Sequence, residues 1–117
     1  MKNEIICVFT LSVKEGQFSN FRNLVSEIVN ETEKERGTLT YMYSVSEDEK
    51  TAHIIEGYKA DALVSHVDVT FAPFAERFLS HVNVTGLTVY GKTDEHIRKR
   101  LDAFGAVYMT TFAGFTR

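Results

Sequence analysis

The chain has a single cysteine, a single proline, no tryptophan and no long apolar run. With Cys7 alone no internal disulfide can form, and its place inside an apolar stretch points to a buried structural thiol. No apolar run approaches the roughly 20 residues that cross a bilayer. Lys2 precedes an apolar stretch, but Asn3 and Glu4 interrupt it and no small-residue cleavage site follows. Neither a membrane span nor export is expected, and the protein reads as cytoplasmic. Charge of one sign is scarce too. Thirteen Lys and Arg against sixteen Asp and Glu leave a net charge of −3, with the basic residues scattered. Nucleic acid or an acidic membrane surface would need a concentrated basic patch, so neither is an expected partner. What is present, 44% hydrophobic and 25% charged residues over 117 positions, fits one ordinary folded domain spanning 1–117.

Glu4–Val13 (EIICVFTLSV) reads as a strand with apolar residues on both sides, so both its faces should be covered. After a Lys14-Glu15-Gly16 turn, Phe18, Phe21, Leu24, Val25, Ile28 and Thr32 form one stripe of a helix over 17–36. Gly37 is placed for a left-handed cap. Thr38–Ser46 and Thr51–Tyr58 are rich in β-branched and aromatic residues and flank the polar Glu47-Asp48-Glu49-Lys50, a hairpin. A four-residue loop sets Ser44 opposite His53 and Tyr41 opposite Glu56. A short helical turn over 59–67 breaks at Asp68-Val69, and a second helix runs over 71–82 with Thr70 as cap and Pro73 in its first turn. Asn83–Lys92 is the fourth strand. The order βαββαβ predicts an α+β, ferredoxin-like fold, a four-stranded antiparallel sheet with both helices on one face. That core spans 3–92, and an extension over 93–117 adds a C-terminal helix carrying Ile97, Leu101 and Phe104, then a strand over 106–112.

Two helices cover one face of such a sheet. The other face would expose apolar side chains of the first strand and either the Tyr41/Tyr43/Ile54 set or the Met42/Ile55 set of the hairpin. A contiguous apolar patch of several hundred Å² is unusual on a monomer, and covering it contributes about 25 cal/mol per Å² before association costs. The expectation is a homodimer closed sheet to sheet. The alternative is that the tail folds back over that face.

Several stretches resemble the antibiotic biosynthesis monooxygenase family of dimeric α+β barrels: V-K-E-G at 13–16, E-K-E-R-G at 33–37, L-T-Y at 39–41 and I-I-E-G-Y-K-A-D-A-L-V-S-H at 54–66. Glu15 and Arg36 stand where the family commonly has prolines, Tyr58 takes an aromatic position, and His66 falls on a recurrent histidine. The tail, from V-Y-G at 89–91 to A-G-F-T-R at 113–117, is similar to an extension in a subset of members. The resemblance implies a dimeric barrel and, where activity is shared, oxygenation of a small aromatic or quinol without metal or flavin. Such a site needs a base, a donor to hold the anion, and dryness. The alternative is a non-catalytic dimeric barrel binding a small hydrophobic metabolite. Haem degradation occurs on the same barrel, but it usually goes with a tryptophan, which this chain lacks; no cofactor is expected.

Within that frame His66 is the candidate catalytic residue, able to take a phenolic proton or, alternatively, to brace its helix. Phe71, Phe74 and Phe78 lie at helical spacing and serve the core first and a flat substrate second. Tyr41 and Tyr43 share a face and either offer hydroxyl donors to substrate or pack locally. His53, mid-strand, is a further substrate-binding candidate; a hydrogen-bonded core histidine is the commoner case. His81 and His96 read as surface residues, and the histidine spacing suggests no metal site. Glu56 would be costly to bury unpaired, so Arg22 or a lysine is expected to answer it.

Overall fold

The computed structural model describes residues 4–117; the readings that rest on Lys2 and Asn3, and a core start at residue 3, lie outside the described residues. Strand β1 is Glu4–Val13, helix α1 Phe18–Thr32, and strands β2 (Thr38–Val45) and β3 (Thr51–Lys59) form the hairpin. The hairpin register is the expected one, Ser44 opposite His53 and Tyr41 opposite Glu56. Asp48 holds the loop by accepting from the Ser46 hydroxyl and the Lys50 amide. A short helix α2 (Ala62–Ser65) runs into a π-helical segment, His66–Phe71, then a 3₁₀ turn at Ala72–Phe74 and helix α3 (Ala75–His81). Strand β4 is Val82–Tyr90, helix α4 Glu95–Leu101 and strand β5 Val107–Met109.

The sheet order is β2-β3-β1-β4-β5, antiparallel through β4. β5 pairs parallel with β4, so the expected four-stranded antiparallel sheet is extended to a five-stranded mixed one. Gly91 makes that junction possible. Its φ is +118°, its amide donates to Met109 O at 2.9 Å, and a Cβ there would lie 2.6 Å from Glu4 O. No other residue fits such a backbone approach.

Three local expectations are corrected. α1 ends at Thr32 rather than 36. Gly37 is not in the left-handed region; a Cβ would lie 2.5 Å from Ala62 Cβ, so its small size lets the chain pass against α2. The expected break at Asp68-Val69 is instead a continuous, widened π-helical stretch, and Thr70 lies inside it rather than capping a new helix. Widened turns of this kind cluster at functional sites.

Side chains alternate as the pleat demands. Ile5, Cys7 and Leu11 of β1, Ala52, Ile54, Glu56 and Tyr58 of β3, and Leu87 and Val89 of β4 are buried beneath the helices. Two buried clusters form there, one around Phe21, Leu24, Ile28 and Phe78, the other around Tyr58, Leu63, Ile97 and Leu101, and Phe9 packs against both. The tail helix α4 therefore packs on the helical side, and the reading in which the tail covers the opposite face is corrected. That opposite face carries two cross-strand rows. Met42, Ile55, Val8, Thr88 and Val107 follow one another across the sheet, as do Gly57, Ile6, Tyr90 and Met109. Ile6, Met42, Tyr90, Val107 and Met109 are all 41–51% exposed. No helix among the described residues is long and apolar enough to cross a membrane.

Candidate active site

A cavity of about 100 Å³ lies between the helix-facing side of the sheet and the π-helical segment. Cys7 and Phe9 of β1 and Ile54 and Glu56 of β3 form its floor; His66, Val67 and Phe71 of the π-helical segment and Phe78 of α3 form its roof. Leu101 and Phe104 bring the tail to one wall, where the Phe104 ring meets Phe9 edge to face at 5.6 Å. The tail is tied to the roof as well: Arg100 of α4 binds Asp68 through two bonds, 2.6 and 3.3 Å. The lining is almost wholly apolar, and its titratable members are Cys7, Glu56 and His66.

His66 is 3% exposed. Its ring sits among Tyr41, Tyr58 and Phe71, with centroids at 5.1, 5.5 and 6.2 Å. Nδ1 lies 3.2 and 3.1 Å from the two carboxylate oxygens of Glu35, in the turn after α1, and Glu35 also accepts from the Thr38 hydroxyl. A carboxylate accepts, so Nδ1 carries the hydrogen and Nε2 keeps a lone pair. Nε2 has no hydrogen-bond partner among the described residues, and it is the ring nitrogen left for a cavity occupant. Burial pushes the imidazole pKa below its ordinary 6.5, against the opposing pull of Glu35, so the ring is neutral at pH 7.

Glu56 is 7% exposed and is not answered by Arg22 or a lysine as expected. Its partner is two residues along the same strand face: the Tyr58 hydroxyl donates to Oε1 at 2.6 Å. One neutral donor cannot offset the desolvation of a carboxylate. Burial raises the Glu56 pKa to about 7, Tyr58 pulls it down and the Glu35 charge adds to the rise. The carboxyl thus changes charge near neutrality inside an apolar cavity. Cys7 beside it is held as a thiol, its pKa pushed up by burial and by Glu56, in keeping with a structural role.

The other candidates divide. Phe71 and Phe78 line the cavity with His66. Phe74 is buried but packs in the neighbouring cluster under Arg77, outside this cavity. Tyr41 and Tyr43 lie just outside it, their hydroxyls 3.0 Å apart and their rings edge to face; Tyr41 meets the site through its ring contact with His66 and its pairing with Glu56 across the hairpin. Burial raises both phenols' pKa, so they stay protonated. His53 is exposed on the opposite face of the sheet, paired with Thr10 and Ser44, and is neither a core histidine nor part of this cavity. His81 is half-buried, bonded to Gln17 at 2.9 Å, and His96 is exposed. Glu35 escaped sequence reasoning because 31 residues separate it from His66. Glu56 was noticed only for its cost.

No protein-family profile matches the chain, and no curated protein does. Solved structures do. MupZ from Pseudomonas fluorescens superposes with a TM-score of 0.88 at 21% identity, over 100% of this chain and 91% of that one. SnoaB from Streptomyces nogalater, a cofactor-independent oxygenase, gives 0.67 at 14% identity over 79% of this chain and 95% of its own. A protein from Deinococcus radiodurans proposed as an antibiotic biosynthesis monooxygenase gives 0.62 at 26% identity, over 77% and 93%. The chain has the antibiotic biosynthesis monooxygenase fold. With SnoaB and the Deinococcus protein the likeness covers about four fifths of the chain, whereas with MupZ it includes the tail that walls the cavity here.

Proposed function

We propose that the chain is a cofactor-independent monooxygenase of a small aromatic or quinol-type substrate, acting in the cytoplasm. The observation that carries this reading is the pairing, in one apolar cavity, of a neutral imidazole with a free Nε2 and a carboxyl that titrates near 7. An apolar cavity of about 150 Å³ takes benzene, so this cavity of about 100 Å³ must widen beside the exposed Leu79 and Phe104 to admit a single ring. Nε2 of His66 takes the phenolic proton. The phenolate, stripped of water, is electron-rich enough to reduce O₂, and the oxygen adds to ring carbon as a hydroperoxide. Protonated Glu56 then donates to the distal oxygen as the O–O bond breaks, and the ring proton returns to the protein. A phenol and O₂ become a quinone and water. The reading is supported by the fold it shares with SnoaB. Oxygen uptake with a panel of single-ring phenols and hydroquinones, using protein treated with chelator and free of flavin, tests it. One O₂ consumed per quinone is expected; no uptake with any member of the panel counts against it.

The second reading, a barrel that binds a small hydrophobic metabolite without chemistry, is favoured by the almost wholly apolar lining. Saturable binding of the same phenols with no oxygen consumption supports it.

We also propose that two copies pair through the open sheet face, where Ile6, Met42, Tyr90, Val107 and Met109 are unprotected by the chain's own tail. Light scattering at micromolar concentration should give the mass of two chains, and Met42→Glu should give one. A wild-type monomer at that concentration overturns the pairing.

A further inference from the structure

A cavity whose base takes a proton from its occupant needs a path that carries the proton away and returns it when the peroxide forms. His66 is nearly sealed, with its side chain 4% exposed, whereas the Glu35 side chain that holds it is 15% exposed. Glu35 also lines a separate, open groove between α1 and the π-helical segment, with Glu31, Lys34, Thr70 and Pro73 around it. The carboxylate therefore has one side on the buried imidazole and another on solvent. We infer that Glu35 is the positioning residue of the site: it fixes His66 as the Nδ1–H tautomer and passes the abstracted proton from the cavity to the groove. The inference rests on the proton-abstracting reading of His66 given above, though its tautomer half stands on geometry alone.

The transfer balances without any further reactant. The substrate O–H bond breaks as Nε2–H forms, and Nδ1–H is given to the carboxylate of Glu35, which exchanges it with water in the groove. When the ring peroxide forms, Nε2–H protonates it to the hydroperoxide and Glu35 returns a proton to Nδ1, so the starting tautomer is restored and no net proton is released. In a serine-hydrolase triad the carboxylate is buried and stays ionised. Glu35 differs in touching solvent, which is what an outlet requires. The groups that face His66 are few. Tyr41 of β2 and Tyr58 of β3 present rings, Glu56 of β3 shares the cavity, and Asp68 on the same π-helical segment is engaged by Arg100. Glu35 is the one carboxylate bonded to the imidazole among the described residues. Thr38 also donates to Glu35 Oε1, which draws on the carboxylate's charge and weakens its pull on the imidazolium.

The test is the titration of His66 in ¹⁵N-imidazole-labelled protein, followed by NMR in the wild type, Glu35→Gln and Thr38→Val. The wild type should show the Nδ1–H tautomer of the neutral ring. Glu35→Gln removes the charge that favours imidazolium, so the midpoint should fall and the tautomer become mixed. Thr38→Val leaves the carboxylate but removes its donor, so the midpoint should rise. Opposite shifts from two variants of one contact are not what a merely structural role would give. Where a substrate is in hand, Glu35→Gln should lower kcat about 100-fold with KM little changed. An Nε2–H tautomer in the wild type, or a His66 titration unmoved by both variants, overturns the inference. Absence of oxygen uptake by the wild type would instead defeat the oxygenase reading and leave the NMR result standing.

Discussion

His66→Ala should lose turnover by about 10²–10⁴-fold while the protein remains folded. The loss is expected mainly in kcat, because the base acts as charge develops on the substrate and contributes little to holding the neutral phenol. The variant also leaves Glu35 partly buried without its imidazole, so a fall in stability of about 1–3 kcal/mol accompanies it. Circular dichroism separates the two effects. The wild-type pH profile is part of the same prediction. Activity requires neutral His66, so it rises with pH through a midpoint below the ordinary 6.5. It also requires protonated Glu56, so it falls as pH passes about 7. A narrow bell is expected, and Glu56→Gln should remove its alkaline limb with much of the rate. A profile that rises monotonically to pH 9 would contradict the role given to Glu56.

Glu56→Gln should also make the protein more stable at pH 8. The carboxyl has an ordinary pKa of 4.5 in the unfolded chain and about 7 in the fold. Between these values the folded state holds the proton more tightly, so stability falls as pH rises from 4.5 to 7 and is level above. The full effect is about 3 kcal/mol, which the wild type lacks at pH 8 and retains at pH 4.5. Glutamine keeps an oxygen for the Tyr58 hydroxyl and never ionises. His66 acts in the opposite direction: its folded pKa lies below the unfolded one, so stability is lost as pH falls below 6.5. Urea midpoints at pH 5 and pH 8 measure the balance. The wild type should weaken toward pH 8 relative to the variant, and parallel curves would show that Glu56 is ionised at no cost. A site that carries such a penalty has accepted instability where its chemistry needs a neutral acid.

The fold was legible because its signals are local. The four polar residues 47–50 set the hairpin register, and from that register Tyr41 and Glu56 follow onto one face. The helical stripes of α1 and the tail are equally local. The site was legible only in part. His66, Phe71 and Phe78 could be named because they lie close together in the chain. The π-helical turn that brings His66 over the cavity has no composition of its own, and V-D-V-T-F at 67–71 looks like a helix ending. Glu35 reaches His66 across 31 residues. Glu56 invited a cationic partner on grounds of charge, but a tyrosine on its own strand face answers it, which leaves the carboxyl able to change charge near neutrality. Gly37 shows the same limit. Its place after a helix suggests a cap, while its real constraint is the approach of Ala62, visible only once α2 is placed.

The central claim is that the cavity under the π-helical segment binds a phenol and deprotonates it through His66. The most direct measurement is the absorption spectrum of a single-ring nitrophenol bound to the protein without oxygen, at a pH below the free phenol's titration midpoint. The bound ligand should show the anion band in the wild type and lose it in His66→Ala. A nitrophenol that binds with the spectrum of the neutral phenol, or with an anion band unchanged in His66→Ala, would contradict the account.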